Sequence, residues 1–368
     1  MNSSPIFFCL PSFSGGGAER VMVLLMRLLA DEAKIKCIVL QEKGSLRRSM
    51  PPQCEIINLN RRSGKIAILA MARAFRTERP ETIISTMAYF NFAVMLGLFI
   101  ARHKPRKIIL REANIPSSTL RSTSFGWIYR FLYQWLYKYA DCIICNSSQV
   151  KNELVALNVN SESIKIISNP VDVVSIRQQS QEKIELPSFE NPKLPLLVSI
   201  GRLTKQKGFD RLVSWFDPVT MPSNLLIIGD GPEKDTLEVL CKKKGLKGRV
   251  SFLGYQKNPF PFIANARALL IASHWEGLPS IGLEALALGV KVIATSTSGG
   301  LTDLHGKVPA NILIIAENEQ AFIEEMKKIS QKPDQTSSKH LCCLPERFHL
   351  DQVVSEYRSA FGLARAPK

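Results

Sequence analysis

Residues 268–288 read Ala268-Leu-Leu-Ile-Ala-Ser-His-Trp-Glu-Gly-Leu-Pro-Ser-Ile-Gly-Leu-Glu-Ala-Leu-Ala-Leu288. The unbroken apolar run Ala268–Ala272 reads as a strand buried on both faces; a polar loop follows, and Ile281–Leu288 continues with helical spacing. Glu276 falls in the loop where the helix begins, and Glu284 lies one turn inside it. Pro279 suits a first helical turn, where its missing N–H costs nothing. Strand, loop and helix form the repeating unit of a parallel sheet, and the unit recurs on both sides of this stretch.

Around it, Leu196–Ile200, Leu225–Ile228, Val250–Leu253, Val292–Ala294 and Ile312–Ile315 read as further buried strands, with helical patterns at Phe209–Trp215, Lys234–Lys243 and Gln320–Ile329. Upstream, Ile6–Leu10, Cys37–Leu40, Ile56–Leu59, Thr82–Ser85, Lys107–Leu110, Cys142–Cys145 and Ile164–Ile167 repeat the theme, with amphipathic segments such as Ala18–Ala30 and Ile66–Phe75 between them. The alternation breaks after Asn169-Pro170, where a polar run and prolines 187, 192 and 195 follow. The expected fold is therefore α/β, with two doubly wound, Rossmann-like parallel-sheet domains facing a cleft. Residues 1–172 and 195–345 form the domains, 173–194 form a linker, and a last helix within 346–368 packs back on the first domain. At 368 residues the chain exceeds what one core normally supports. Ligands of open parallel sheets bind beyond the carboxyl ends of the strands, so the expected site is that cleft.

Composition is that of a globular protein, 45% apolar and 22% charged, with a net charge of +16. The charge is uneven, since residues 1–150 carry 21 Lys and Arg against 9 Asp and Glu, which points to an anionic partner. Cys142 and Cys145 form a C-x-x-C, but inside an apolar run where cysteine serves as a small hydrophobe. No cysteine and histidine set has zinc spacing, and a reducing compartment is expected. Pro5–Leu10 is too short for the apolar region of a signal peptide, and Phe92–Ala101 is too short to span a bilayer, which needs about 20 residues.

Three segments carry chemistry. The helix opening at Gly277–Ile281 has N–H groups and a macrodipole suited to a diphosphate, and a carboxylate such as Glu284 can accept hydrogen bonds from ribose hydroxyls. Gly201-Arg-Leu-Thr-Lys-Gln-Lys-Gly208-Phe-Asp210 leaves a strand and enters a helix, with Arg202 and Lys207 placed to clamp phosphates by charge-assisted bonds. Gly15-Gly-Gly-Ala-Glu-Arg20 follows the first strand; it fits neither G-x-G-x-x-G nor a Walker A loop, yet Gly16 and Gly17 allow close backbone approach to a ligand.

Together with Asn169-Pro-Val-Asp172, Gly229-Asp-Gly-Pro-Glu233 and Val250-Ser-Phe-Leu-Gly254, these segments resemble family 4 of the retaining glycosyltransferases from about residue 10 to about residue 300. Leu110-Arg-Glu-Ala-Asn-Ile-Pro116 looks like the version in enzymes that build bacterial surface polysaccharides on lipid carriers. The resemblance implies that Arg202 and Lys207 grip the donor diphosphate, that Gly16-Gly17 closes over it, and that Gly201 belongs to the same loop. It further implies Glu276 near the donor sugar, the backbone of Gly277, Leu278, Pro279, Ser280 and Ile281 along sugar and diphosphate, Glu284 on the ribose, and Gly254-Tyr255 at the base. Arg202, Lys207 and Glu276 are the implied catalytic set; Glu19, Arg111, Glu112 and Asn114 are the acceptor-side candidates. Two departures stand out. The family's Gly-Gly-Pro-x-Glu reads Gly299-Gly-Leu-Thr-Asp303, and a histidine common in the acceptor loop is replaced by Arg111-Glu112-Ala113-Asn114. His274, beside Glu276, reads as a shape-filling loop residue.

The expected reaction is retaining transfer of a hexose or N-acetylhexosamine from a nucleoside-diphosphate sugar, UDP being the commonest family choice, to a glycan or polyprenyl-diphosphate-linked acceptor. The leaving phosphate oxygen takes the acceptor's proton. No cofactor and no metal is expected, since no D-x-D motif is present. A nucleotide-sugar epimerase of the same fold would need acid and base residues around the sugar, which have no evident candidates; a basic nucleic-acid-binding protein would need a recognition helix or RNP strand, and none appears. A cytoplasmic protein peripheral to the inner face of the membrane is expected, because Arg61, Arg62, Lys65, Arg73 and Arg76 surround one helix, Arg102, Lys104, Arg106 and Lys107 cluster before a strand, and Trp127–Tyr139 interleaves aromatics with Arg130 and Lys138.

Overall fold

The computed structural model describes residues 4–14, 16–61, 64–121, 124–331 and 341–363, with the side chains of all but 64–66. Gly15, Arg62 and the side chain of Lys65, named above, lie outside the described residues. The chain divides into two compact units, Met1–Pro170 with Asp351–Lys368, and Val171–Leu350.

The first unit is built on β1 (Ile6–Leu10), β2 (Ile35–Val39), β3 (Glu55–Asn58), β4 (Thr82–Thr86), β5 (Lys107–Glu112), β6 (Cys142–Cys145) and β7 (Ile164–Ile166). They lie in the order β3-β2-β1-β4-β5-β6-β7, every pair parallel. Helices α1 (Gly17–Leu29), α2 (Gly64–Glu78), α3 (Ala88–Ala101), α4 (Pro116–Arg121), α5 (Gly126–Leu136) and α6 (Ser148–Ala156) connect them. All five residues of β1 are buried, and α1 buries Val21, Met22, Leu25, Met26 and Leu29 at the spacing of one helical face. Cys142 and Cys145 are buried in β6, where burial pushes the Cys145 thiol up to about 12.

The second unit holds α7 (Val173–Gln179), β8 (Leu196–Ile200), α8 (Phe209–Trp215), β9 (Asn224–Ile228), α9 (Lys234–Lys243), β10 (Val250–Gly254), α10 (Phe260–Ala264), β11 (Ala268–Ile271), α11 (Ser280–Ala287), β12 (Lys291–Thr295), β13 (Leu313–Ala316) and α12 (Glu319–Gln331). Its strands run β10-β9-β8-β11-β12-β13, again all parallel. Alternate residues feed two cores. Val198, Leu226, Leu269 and Val292 pack with Leu283 and Leu286 of α11, while Leu197, Leu225, Leu270 and Ile293 pack with Leu212 of α8 and Phe322 of α12. Two apolar faces explain why these strands read as continuous apolar runs.

The stretch 173–194, read above as a linker, belongs to the second unit. Its first seven residues are α7, Ile176 is buried, Arg177 Nε donates to the Ala287 carbonyl at 3.1 Å, and Ile184 and Phe189 pack on the core. The polar run hid these few apolar anchors. The last helix, α13 (Leu350–Phe361), contributes all but its first residue to the first unit. There Phe361 meets Phe8 with ring centroids 5.8 Å apart, and Arg358 Nε donates to Glu32 at 2.9 Å. No helix among the described residues is long and apolar enough to cross a membrane.

Both strand orders reverse at a definite place, between β1 and β4 in one sheet and between β8 and β11 in the other. Doubly wound sheets bind ligands beyond the carboxyl ends of the strands at such a point.

Candidate functional site

In the second unit the loops after β8 and β11 run side by side because those strands are neighbours. Two hydrogen bonds join them, from His274 N–H to the Gln206 carbonyl at 2.8 Å and from the Gln206 amide to the Trp275 carbonyl at 3.1 Å. Gly208 ends the first loop with φ +64°, and a side chain there would strike the Ala272 carbonyl, so only glycine permits this closeness. The result is that Lys207 Nζ pairs with Glu276 Oε1 across sixty-nine residues of sequence. Ser273 donates its hydroxyl to the same oxygen at 3.0 Å. Glu276 is buried and Lys207 half-buried, beside a small cavity that Phe209, Ser273, Pro279 and Ile281 also line.

Of the donor-side candidates, Lys207, Glu276, Pro279 and Ile281 thus surround one cavity. Gly201 opens the loop, its N–H held by the Ile228 carbonyl at 3.0 Å, with the Lys207 stem alongside. Arg202 is exposed, and its guanidinium makes no hydrogen bond or ion pair among the described residues. Pro279 is not in the first helical turn as expected; with ψ 107° it caps α11, and Ser280 is the first helical residue. Gly277 accepts from Gly300 N–H at 2.7 Å, Leu278 is buried, and Glu284 sits half-buried one turn into α11. Such a helix opening presents N–H groups that have no partner within the helix.

Some participants carried no clear signal in the sequence. Ser273 is one. Asp230 falls within the quoted Gly229–Glu233 segment but had no role assigned to it: its carboxylate accepts from Tyr255 N–H at 2.7 Å, while Gly229 N–H reaches the Gly254 carbonyl at 2.9 Å, so the end of β9 positions the Gly254-Tyr255 turn. The loop Gly299–Asp303, which departs from the family pattern, supports the backbone of the site. Thr297 accepts from Glu276 N–H at 3.1 Å, and Gly299, at φ +59°, lies where any side chain would meet the Glu276 carbonyl. The paired glycines were the available clue. His274 lies between Arg211, 3.3 Å from Nδ1, and Asp210, 3.8 Å from Nε2, and stays a loop residue.

In the first unit Gly16 caps α1 and Gly17 begins it. Glu19 is buried in the first turn, its carboxylate folded back beside Gly16 at the positive end of the helix dipole. Arg111 and Glu112 require a correction. Both are interior, because they are the last residues of β5 and remain in the ladder opposite Ile144 and Cys145. Arg111 donates to Tyr357 at 3.0 Å, Thr86 at 3.3 Å and Asn169 at 2.6 Å. Glu112 accepts from Tyr137 at 2.6 Å and Tyr133 at 3.3 Å. Burial pushes its carboxyl up to about 7, against the opposing pull of the two tyrosines, the Asn114 N–H and Arg111. Neither side chain is available to an acceptor; Asn114 is exposed and is. Met87, at the end of β4 with φ +73°, adds a strained residue at the reversal point that no sequence pattern announced.

Two family patterns cover the chain: Glycosyltransferase Family 4 matches residues 15–174 and Glycosyl transferases group 1 matches residues 180–340. The chain is a family 4 glycosyltransferase with the GT-B fold. The glycosyltransferase is 27% identical over 331 residues to the N-acetylgalactosamine-N,N'-diacetylbacillosaminyl-diphospho-undecaprenol 4-alpha-N-acetylgalactosaminyltransferase of Campylobacter jejuni, covering 86% of this chain and 87% of that one. It is 26% identical to the lipopolysaccharide core biosynthesis glycosyltransferase LpsE of Rhizobium meliloti, over 77% of each. Among solved structures, Anabaena Alr3699/HepE in complex with UDP and glucose superposes with a TM-score of 0.76 at 17% identity, over 98% of this chain and 100% of that one, which is a likeness of fold.

Proposed function

We propose that this glycosyltransferase binds a nucleoside-diphosphate sugar, a UDP-hexose or UDP-N-acetylhexosamine, in its second unit and transfers the sugar with retained configuration. The acceptor is a hydroxyl of a glycan carried on a polyprenyl diphosphate or a comparable lipid. The observation that carries this reading is the Lys207–Glu276 pair beside the opening of α11, at the reversal point of the sheet. In the reaction the bond from the anomeric carbon to the diphosphate oxygen breaks. The acceptor oxygen bonds to that carbon on the same face, and its proton passes to the leaving phosphate oxygen. Arg202, Lys207 and the α11 opening stabilise the charge that develops there, and preorganised electrostatics of this kind is usually the largest catalytic term. Glu276 holds Lys207 and meets the sugar hydroxyls, while Asn114 serves the acceptor. The relatives support the substrate classes: one by its name uses a diphospho-undecaprenol-linked glycan, another acts in lipopolysaccharide core biosynthesis, and a fold neighbour binds UDP and glucose.

Membrane docking of the first unit is part of the same reading. Trp127 is 73% exposed and Phe131 57%, one turn apart on α5, with Arg130 exposed between them. Phe99 stacks on Trp135 at 5.3 Å and meets Tyr139 at 5.1 Å, extending the strip to the end of α3, where Arg102, Lys104 and Arg106 are exposed. Aromatics at headgroup depth with cations beside anionic lipid suit an interfacial site, each cation adding about 1 kcal/mol.

The test is transfer from a panel of nucleotide sugars to a polyprenyl-diphosphate-linked glycan, with the product's anomeric configuration read by NMR. Transfer with retention is expected, and it persists in EDTA because protein cations supply the charge. An inverted product, or loss of transfer in EDTA restored by Mg²⁺ or Mn²⁺, overturns the corresponding part. Co-sedimentation with anionic but not neutral vesicles, weakened by salt, is expected; equal recovery in both supernatants overturns docking.

A further inference from the structure

Glu112 has a role beyond the one its sequence position suggested. Its carboxylate is buried where β5 ends, and of the two phenols that donate to it, Tyr133 lies on the inner side of α5 and Tyr137 one turn further on, the first residue of the 3-10 turn that follows α5. The outer side of the same helix carries the exposed Trp127 and Phe131. The cluster extends in three directions. Tyr137 Oη also accepts from the Asn91 amide at 3.0 Å, and that amide donates to the Arg111 carbonyl at 3.1 Å. Tyr133 is further hydrogen-bonded to Thr119 of α4. Asn146 donates to the Ala113 carbonyl at 3.1 Å. The chain therefore leaves β5 with residue 112 pinned by its side chain and residue 113 by its carbonyl, and the next residue is the exposed Asn114.

A buried carboxylate is an expensive way to fill space, and well-packed apolar groups of similar volume commonly serve stability as well or better. Its directional bonds instead fix one geometry between two elements. We propose that Glu112, Tyr133 and Tyr137 form a positioning latch that ties helix α5 and the turn after it to the loop that leaves β5 and bears Asn114, and so sets where the acceptor is held. The inference rests on the proposed reading of Asn114 as an acceptor contact. Displacement of α5 moves the two phenols, the phenols carry the carboxylate, and the carboxylate carries the first residue of the acceptor loop.

Tyr137→Phe tests the latch, because it deletes the shorter of the two hydrogen bonds and keeps the ring that packs on Phe92 and Tyr133. Acceptor KM and kcat are measured beside acceptor-independent donor hydrolysis, and amide exchange is followed across residues 113–121. Losing a hydrogen bond to a charged group is worth about a factor of ten. The expected result is an acceptor KM raised by about that factor, little change in kcat or donor hydrolysis, and faster exchange confined to 113–121. Glu112→Gln, which keeps an accepting oxygen, gives a smaller effect in the same direction. Unchanged acceptor KM with unchanged exchange overturns the latch, and so does a parallel fall in hydrolysis and transfer. Should the wild-type enzyme transfer to no lipid-linked glycan, the functional reading fails by itself. Exchange still decides the latch in that case: loosening confined to 113–121 supports it, and its absence overturns it.

Discussion

Each unit places a cation and a carboxylate at the ends of its strands, with opposite outcomes. Lys207 and Glu276 come from loops sixty-nine residues apart and meet beside a cavity. Arg111 and Glu112 are adjacent, yet they point to opposite faces of β5 and are both consumed by internal partners. The difference lies in where the strand stops. β11 ends at Ile271 and β8 at Ile200, so the charged residues that follow leave the pleat for the loops. β5 runs on through Glu112, so its charges stay inside the layers and must be satisfied there. A charge near a strand end reaches a cavity here only where the chain has left the ladder.

The sharpest way to break the comparison is Lys207→Ala. It is expected to lower turnover by about 10²–10³, the cost of losing a preorganised partner of transition-state charge. Near-normal turnover would erase the contrast. Arg111→Ala is expected to do the reverse. It strands Tyr357, Asn169 and Thr86 in the interior and costs about 3 kcal/mol of stability in denaturant titration, with UDP binding retained. A variant as stable as wild type but unable to transfer would make Arg111 a substrate contact. Glu284→Gln is a smaller probe on the donor side. UDP binding by calorimetry is expected to weaken about tenfold, the worth of a hydrogen bond to a charged group; unchanged binding with a lower melting temperature would return Glu284 to a helix-stabilising charge.

One more expected effect concerns Glu112 and pH. Its carboxyl is raised by burial from 4.5 to about 7, so between those values the folded chain keeps a proton that the unfolded chain releases. Its contribution to stability is full below about pH 4.5 and is lost as pH rises through about 7. Thermal midpoints at pH 5 and 8 are expected to fall further in wild type than in Glu112→Gln. Equal falls would mean that Glu112 titrates as an exposed carboxylate does.

The strands were legible because buried parallel strands are continuous apolar runs and their turns collect glycine and proline; Ile6–Leu10, Cys142–Cys145 and Leu196–Ile200 were read to the residue. The loops Gly201–Asp210 and Glu276–Glu284 stood out because phosphate and ribose recognition needs particular residue types at fixed short spacings. Local spacing does not record which residues from separate loops touch. The pairing of Lys207 with Glu276, the support from Ser273, Asp230 and Gly299, and the burial of Arg111 and Glu112 depend on strand order and on where a strand ends. The sequence by itself determined the two parallel sheets, the glycine- and charge-bearing loops at their strand ends and the uneven charge, since each follows from short-range pattern and composition. Only the tertiary structure decided which charges line a cavity and which are held by internal partners, because burial and pairing are set by residues distant in the chain.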